Sequence, residues 1–224
     1  MIEQPVASAA EAAAFRETHG IAPEQPLILC LPGSRRGEVS RLGPRFDEAL
    51  MRLRDRVPEI RVVIPTVRGV SGLVRDMAKR WPTAPVVVES PEERRAAFAA
   101  ADLALAASGT VSLDLAANDV PMVIGYDVAP LSRLIIRLLL KTDTVTLVNL
   151  VSDTRVVPEF LGANCEPGPM SQALFCLIEH PEDRAGQIAA MNLTMERLGR
   201  GGEAPGLRAA RSVLDALSSA RRPR

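Results

Sequence analysis

The 224-residue sequence predicts an α/β fold, a doubly wound parallel sheet with helices on both faces and further helices at its C-terminal end. Three observations carry that prediction. Apolar runs of strand length recur between residues 25 and 150, they alternate with segments of helical period, and they are mostly continuous. Strands covered on both faces read as unbroken hydrophobic stretches, whereas half-exposed strands alternate polar and apolar residues. Strand, helix and strand repeated in this way build parallel pairs through crossover helices.

The elements follow in order. Residues 1–24 form a lead-in, an alanine-rich amphipathic helix over 9–19 ended by Gly20. Strands are predicted at 27–31 (LILCL), 60–66, 84–90, 102–108, 121–126 and 144–150 (TVTLVNL). Between the first two, Leu42, Phe46, Ala49, Leu50, Leu53 and Val57 share one helical stripe. Further helices are expected over 70–81, 92–101, 110–118 and 130–141. Beyond residue 155 the pattern turns helical, at 169–180, 183–198 and 205–219, with Pro205 in a helix-starting position. The organisation is one domain over 25–200, followed by a helix and tail over 201–224, without repeats or low-complexity segments.

Composition narrows the function. With 47% hydrophobic and 24% charged residues the chain is of ordinary globular type. Lys+Arg number 27 and Asp+Glu 27, a balance that argues against bulk nucleic-acid binding. The basic side is almost all arginine, whose planar fork suits phosphate; lysine occurs only at Lys79 and Lys141. Cys30, Cys165 and Cys176 show no CxxC spacing and have only His19 and His180 beside them. No metal or cofactor is therefore expected, and a reduced, cytoplasmic protein is. The opening MIEQPVASAA has neither a basic n-region nor an apolar h-region. The apolar segment PLSRLIIRLLLK (130–141) is too short and too charged to span a bilayer. Arg133, Arg137 and Lys141 lie on one face of it, opposite Leu131, Leu134, Ile135, Leu138 and Leu139. That pattern suits either a core helix with one wet stripe or peripheral contact with a membrane surface.

Ligands of open parallel sheets bind at the carboxyl ends of the strands, where strand order reverses. After the first predicted strand comes Gly33-Ser34-Arg35-Arg36-Gly37-Glu38. Its glycines admit close backbone approach to an anion, its serine donates, and an arginine grips phosphate bidentately. After the fourth comes Ser108-Gly109-Thr110, opening a helix with Asp114 one turn in. Free backbone N–H groups there would stand beside two hydroxyls. Taken singly, the first stretch is equally a solvated turn, and the second reads first as a helix N-cap. Neither matches a P-loop or a GxGxxG fingerprint. Together at one sheet edge they favour a phosphorylated ligand.

Three stretches in order, LCLPGSRRGEVSRLGPRF, ASGTVSLDLAANDVPMVIGYDVAPLS and TVTLVNLVSDTRVVPEFL, resemble the C-terminal half of lipid-A-disaccharide synthases. The resemblance runs from about residue 25 to the last helix. It implies one Rossmann-like half of a GT-B glycosyltransferase fold, the half that holds a UDP-sugar donor. The reaction implied joins UDP-2,3-diacylglucosamine to 2,3-diacylglucosamine 1-phosphate and releases UDP, in lipid A biosynthesis. On this resemblance Gly33, Ser34 and Arg35 lie near the donor diphosphate, and Ser108, Gly109 and Thr110 form a second loop on the nucleotide side. Asp114 stands where the family usually has a ribose-binding glutamate, one methylene longer. Asn149 matches an asparagine after a late strand, and Glu159 the acid of a VPE motif. By themselves these two read equally as a strand-end turn residue and a solvated helix-start acid. Two departures are Asp127 in place of a common lysine and Gly162 in place of a glutamine. The sequence presents no catalytic carboxylate pair or Ser/His/Asp set. The resemblance implies that the catalytic base and the acylated glucosamine acceptor site belong to an N-terminal domain preceding this stretch. The expectation is a donor-binding portion of an inverting, metal-independent glycosyltransferase that turns over nothing alone, cytoplasmic or peripheral to the inner membrane. The alternatives are another GT-B enzyme such as a UDP-GlcNAc epimerase-like protein, or a non-catalytic nucleotide-binding or interaction module, as a monomer or a homodimer.

Overall fold

The structure is a computed structural model that describes residues 6–127, 144–202, 207 and 210–214. Six parallel strands form one sheet in the order β3-β2-β1-β4-β5-β6. They are β1 (Leu27–Leu31), β2 (Arg61–Pro65), β3 (Val86–Val88), β4 (Leu103–Ala106), β5 (Met122–Tyr126) and β6 (Glu159–Leu161). The helices are α1 (Ala9–Thr18), α2 (Arg36–Arg54), α3 (Ser71–Ala78), α4 (Pro91–Ala100), α5 (Val111–Ala117), α6 (Leu147–Ser152), α7 (Pro167–Glu179) and α8 (Pro181–Arg197). The doubly wound parallel sheet is as the sequence predicts.

Alternate residues of each strand feed two cores. Ile28, Cys30, Val62, Ile64, Leu103 and Leu105 pack under α2, α3 and α7, where Phe46, Leu50, Met77 and Leu174 are buried. Leu27, Leu29, Leu31, Val63, Ala104 and Ala106 face the other way, onto α1, α4, α5 and α8. All five residues of β1 are buried, so its unbroken LILCL is the signature of a strand covered on both sides. The lead-in helix is anchored rather than loose. Phe15 is buried in the second core, and the Arg16 guanidinium donates to the Ala100 carbonyl (2.8 Å) and pairs with Asp102 (2.6 Å). Asp102 in turn accepts the Leu27 N–H at 2.7 Å, tying α1 to the start of β1.

Two sequence expectations fail at the far edge. The stretch 144–150 is not a strand: 144–146 is extended loop and Leu147–Ser152 is helix α6. The sixth strand instead forms at Glu159–Leu161, where a helical pattern alone was expected, pairing Ile124 with Glu159 and Tyr126 with Leu161. The cause is tertiary. Val148 is buried at 0% exposure in the core beside α8, and its carbonyl accepts from Thr194 Oγ1 (3.2 Å), which a strand at the sheet edge could not arrange. The helix predicted over 130–141 lies outside the described residues, as does most of 205–219, of which 207 and 210–214 are helical. Asp127, the departure from the resembled family's lysine, is 3% exposed and pairs with Arg45 of α2 at 2.9 Å. Gly162 opens a short 3₁₀ turn (Gly162–Asn164) with φ +60°. No helix among the described residues is long and apolar enough to cross a membrane.

Candidate functional site

The strand order reverses between β1 and β4, so a crevice opens beyond their carboxyl ends. Both polar loops sit there. A cavity of about 350 Å³ is lined by Gly33, Ser34, Arg35 and Glu38 from one side and by Ser108, Gly109, Thr110 and Asp114 from the other. Seven of the nine sequence-predicted binding residues are thereby brought together, from parts of the chain about 75 residues apart.

The first wall is built by the β1–α2 turn. Gly33 adopts φ +119°, open to glycine but strained for a residue with a Cβ. Helix α2 then starts from Arg35, an N-cap whose side chain makes no capping bond. Its first intrahelical bond runs from the Val39 N–H to the Arg35 carbonyl (3.0 Å), leaving the amides of Arg36, Gly37 and Glu38 without a helical partner. Those amides, the helix dipole and an Arg35 side chain 82% exposed make a cationic lip. The negative charge seated on it is the protein's own. Glu38 Oε2 accepts the Ser34 N–H at 3.2 Å, and Glu38 Oε1 lies 3.2 Å from Arg35 Nη1.

The second wall is the β4–α5 loop. Gly109 has φ +140°, with no atom within 4 Å of where a Cβ would point, so the backbone there faces open space. Ser108 Oγ leans on the Val145 carbonyl at 3.5 Å, and Ser112 Oγ donates to the Gly109 carbonyl at 2.9 Å. Thr110 is the N-cap of α5, yet its side chain makes no capping bond. Burial pushes the Asp114 carboxyl above its usual range, and Arg94 only partly offsets this from 3.7 Å.

Arg94 went unnoticed in the sequence. It reaches the crevice from α4, a helix that starts just past β3, and its guanidinium also lies over the Phe98 ring at 5.7 Å. The arginine pair in SPEERR, following a strand at the same sheet edge, is the signal that could have found it. Arg94 and Asp114 also border a second cavity of about 570 Å³. Thr66, 5% exposed, and Asn118 line that cavity, and Thr66 Oγ1 and Asn118 Oδ1 are buried without a hydrogen-bond partner among the described residues.

Asn149 and Glu159 do not line either cavity. Asn149 mimics a strand neighbour, donating to the Val157 carbonyl (2.9 Å) and accepting the Val157 N–H (3.0 Å). Glu159 accepts from Thr144 Oγ1 (2.6 Å), the Thr146 N–H (2.8 Å), the Val145 N–H (3.1 Å) and Asn149 Nδ2 (3.2 Å). Burial alone would raise its carboxyl, but these hydrogen bonds outweigh it and hold the group below its usual range. The pair therefore braces the 144–146 segment on which Ser108 leans. Among the described residues, no three His, Cys, Asp or Glu side chains are placed to hold a metal.

The chain matches the family model described as lipid-A-disaccharide synthetase over residues 1–204. It is 52% identical over 225 residues to a lipid-A-disaccharide synthase of Ruegeria pomeroyi, covering 97% of this chain and 55% of that protein. The chain thus spans about half the length of the curated relatives it matches. Among solved structures it is similar to Anabaena Alr3699/HepE in complex with UDP-glucose, with TM-score 0.64 and 12% identity over 97% of this chain and 55% of that one. It is also similar to WaaG, a glycosyltransferase involved in lipopolysaccharide biosynthesis, with TM-score 0.55 and 16% identity over 85% of this chain and 47% of that one. At these identities the structural likeness speaks for the fold, which is that of one half of a GT-B glycosyltransferase.

Proposed function

Because the chain belongs to the lipid-A-disaccharide synthetase family, we propose that it is the donor-binding portion of such an enzyme and that the crevice between β1 and β4 takes the UDP of a UDP-sugar. The observation that carries this is the β1–α2 turn, where the Ser34 N–H and the Arg35 guanidinium already hold a carboxylate in the position a phosphate would take. A diphosphate lying across that turn meets the unpaired α2 amides, Arg35, and the hydroxyls of Ser108 and Thr110 from the facing loop. Asp114 faces the ribose hydroxyls from the shared border of the two cavities. The larger cavity then receives the base, where the unpartnered Thr66 and Asn118 oxygens suit the N–H of a uracil ring. That the structurally similar HepE was solved in complex with UDP-glucose supports a nucleotide-sugar as the ligand.

In the reaction, a hydroxyl of the acylated glucosamine acceptor attacks the anomeric carbon of UDP-2,3-diacylglucosamine. The bond from that carbon to the diphosphate breaks with its electron pair on the leaving oxygen. The contribution of this chain is to stabilise that developing charge, through Arg35 and fixed backbone dipoles rather than through solvent. Acceptance of the hydroxyl proton is assigned to a group outside this half.

Thermal unfolding with UDP, UDP-GlcNAc and ADP, on the wild type and on Arg35→Ala, tests the site. Uridine ligands should raise the midpoint and ADP should not, and Arg35→Ala should lose most of the rise. An equal response to ADP, or none to any ligand, would remove the donor assignment.

A further inference from the structure

The phosphate position at the β1–α2 turn is held by Glu38. A Cβ on Gly33 would lie 2.6 Å from both Cβ and Oε2 of Glu38, so glycine there is what lets this side chain fold flat onto the turn. The result is a carboxylate 18% exposed, paired with an arginine 82% exposed, inside the cavity that the ligand needs.

Glutamate at the third helical position ordinarily closes a capping box, and this molecule shows what such a box looks like. At α1 the Glu11 N–H donates to Ser8 Oγ (3.2 Å) while the Ser8 N–H donates to Glu11 Oε2 (2.8 Å). At α4 the Ser90 N-cap likewise accepts from the Glu93 N–H (3.1 Å) and meets the Glu93 carboxylate. At α2 the N-cap is Arg35, which returns no capping bond, and Glu38 reaches past it to the amide of Ser34. The Glu38 amide is consequently left for something else. A pure capping role explains neither the missing reciprocal bond nor the recruitment of Arg35.

We propose that Glu38 is an internal latch: its carboxylate competes with the phosphates of the ligand for the Ser34 N–H and the Arg35 guanidinium, and must swing out for a diphosphate to seat. This rests on the donor-site reading. With the site empty, the latch neutralises Arg35 and screens the turn from small monoanions, which gain too little to displace it. A diphosphate spanning the turn and the three α2 amides gains enough. Once UDP has been released from the sugar, the carboxylate re-enters and competes for the same donors, which shortens the residence of the product.

Calorimetric titration of the 224-residue chain with UDP, inorganic pyrophosphate and uridine tests the latch on the wild type, Glu38→Gln and Glu38→Asp. Glutamine keeps the shape without the charge, and aspartate keeps the charge but is one methylene short of Ser34. An ion pair of this kind, with its arginine in solvent, holds a site back by up to about fivefold, so both variants should bind UDP and pyrophosphate more tightly by up to about fivefold, with uridine unchanged. Phosphate ligands that bind neither variant more tightly than the wild type overturn the latch, whichever variant folds. If UDP binds none of the three proteins while pyrophosphate shows the gain, the latch stands and the donor reading fails. If no probe binds any of them, both fall.

Discussion

Asp47 shows how unevenly single carboxylates fare on one helix. It lies on α2 about two and a half turns beyond Glu38, with Oδ1 buried and without a hydrogen-bond partner among the described residues. Burial pushes its pKa from the usual 3.8 up to about 6, and its charge also bears on the buried Cys30 thiol. The folded protein holds this proton more tightly than the unfolded chain, so stability falls as pH rises from 3.8 to about 6 and the full penalty remains above. The side chain is only partly buried, and solvent screening reduces that penalty to about 1 kcal/mol. Asp47→Asn should therefore be more stable than the wild type at pH 7.5 by about that amount and show no gain at pH 4, compared by urea midpoints. Equal midpoints at pH 7.5 would contradict it. At this scale the sequence was informative where residue type and position suffice: Gly33, Ser34, Arg35 and the Ser108–Thr110 loop stand at strand ends and needed only a fold class to bring them together. Glu38 and Arg94 were not legible as site residues, because one depends on a side chain folding back and the other on the packing of α4.

At the scale of elements, the first five strands were legible because two covering layers demand continuous apolar residues. The sixth was not, since Glu159–Leu161 is a three-residue edge strand, half-buried throughout, with nothing in its sequence to outbid the β-branched run TVTLVNL. Beside the burial of Val148, what holds that run as a loop and helix α6 is Glu159, whose carboxylate gathers donors from Thr144, Val145, Thr146 and Asn149. Such a brace depends on ionisation. Its pKa is held below the usual 4.5, so its contribution is complete above that pH and is lost as pH falls through the folded value. Glu159→Gln removes the charge and turns an amide N–H₂ toward groups that themselves donate. The variant should lose about 1 kcal/mol at pH 7, with the gap narrowing at pH 4, the reverse of the Asp47→Asn pattern. A gap unchanged between the two pH values would show that ionisation is not what fixes this segment.

At the scale of the molecule, the proposed site lies at a feature that every doubly wound sheet shares: chain direction departs from β1 to opposite sides, and a crevice opens between. The two loops of the site hang from the central strands β1 and β4, whose residues are buried on both faces. On the proposed reading, a diphosphate between them engages both. Hydrogen exchange should report that geometry. With saturating UDP, amides of 33–38 and of 108–112 should slow together although about 75 residues separate them, while the outer strands β3 and β6 keep their rates. A solvated turn that happened to attract anions would protect 33–38 alone, and a nucleoside held only in the larger cavity, which Thr110 also lines, would protect 108–112 alone. Joint protection is thus the outcome that a ligand bridging the switch point requires. Protection of one loop without the other, in a sample whose midpoint UDP does raise, would place the nucleotide elsewhere on the sheet edge.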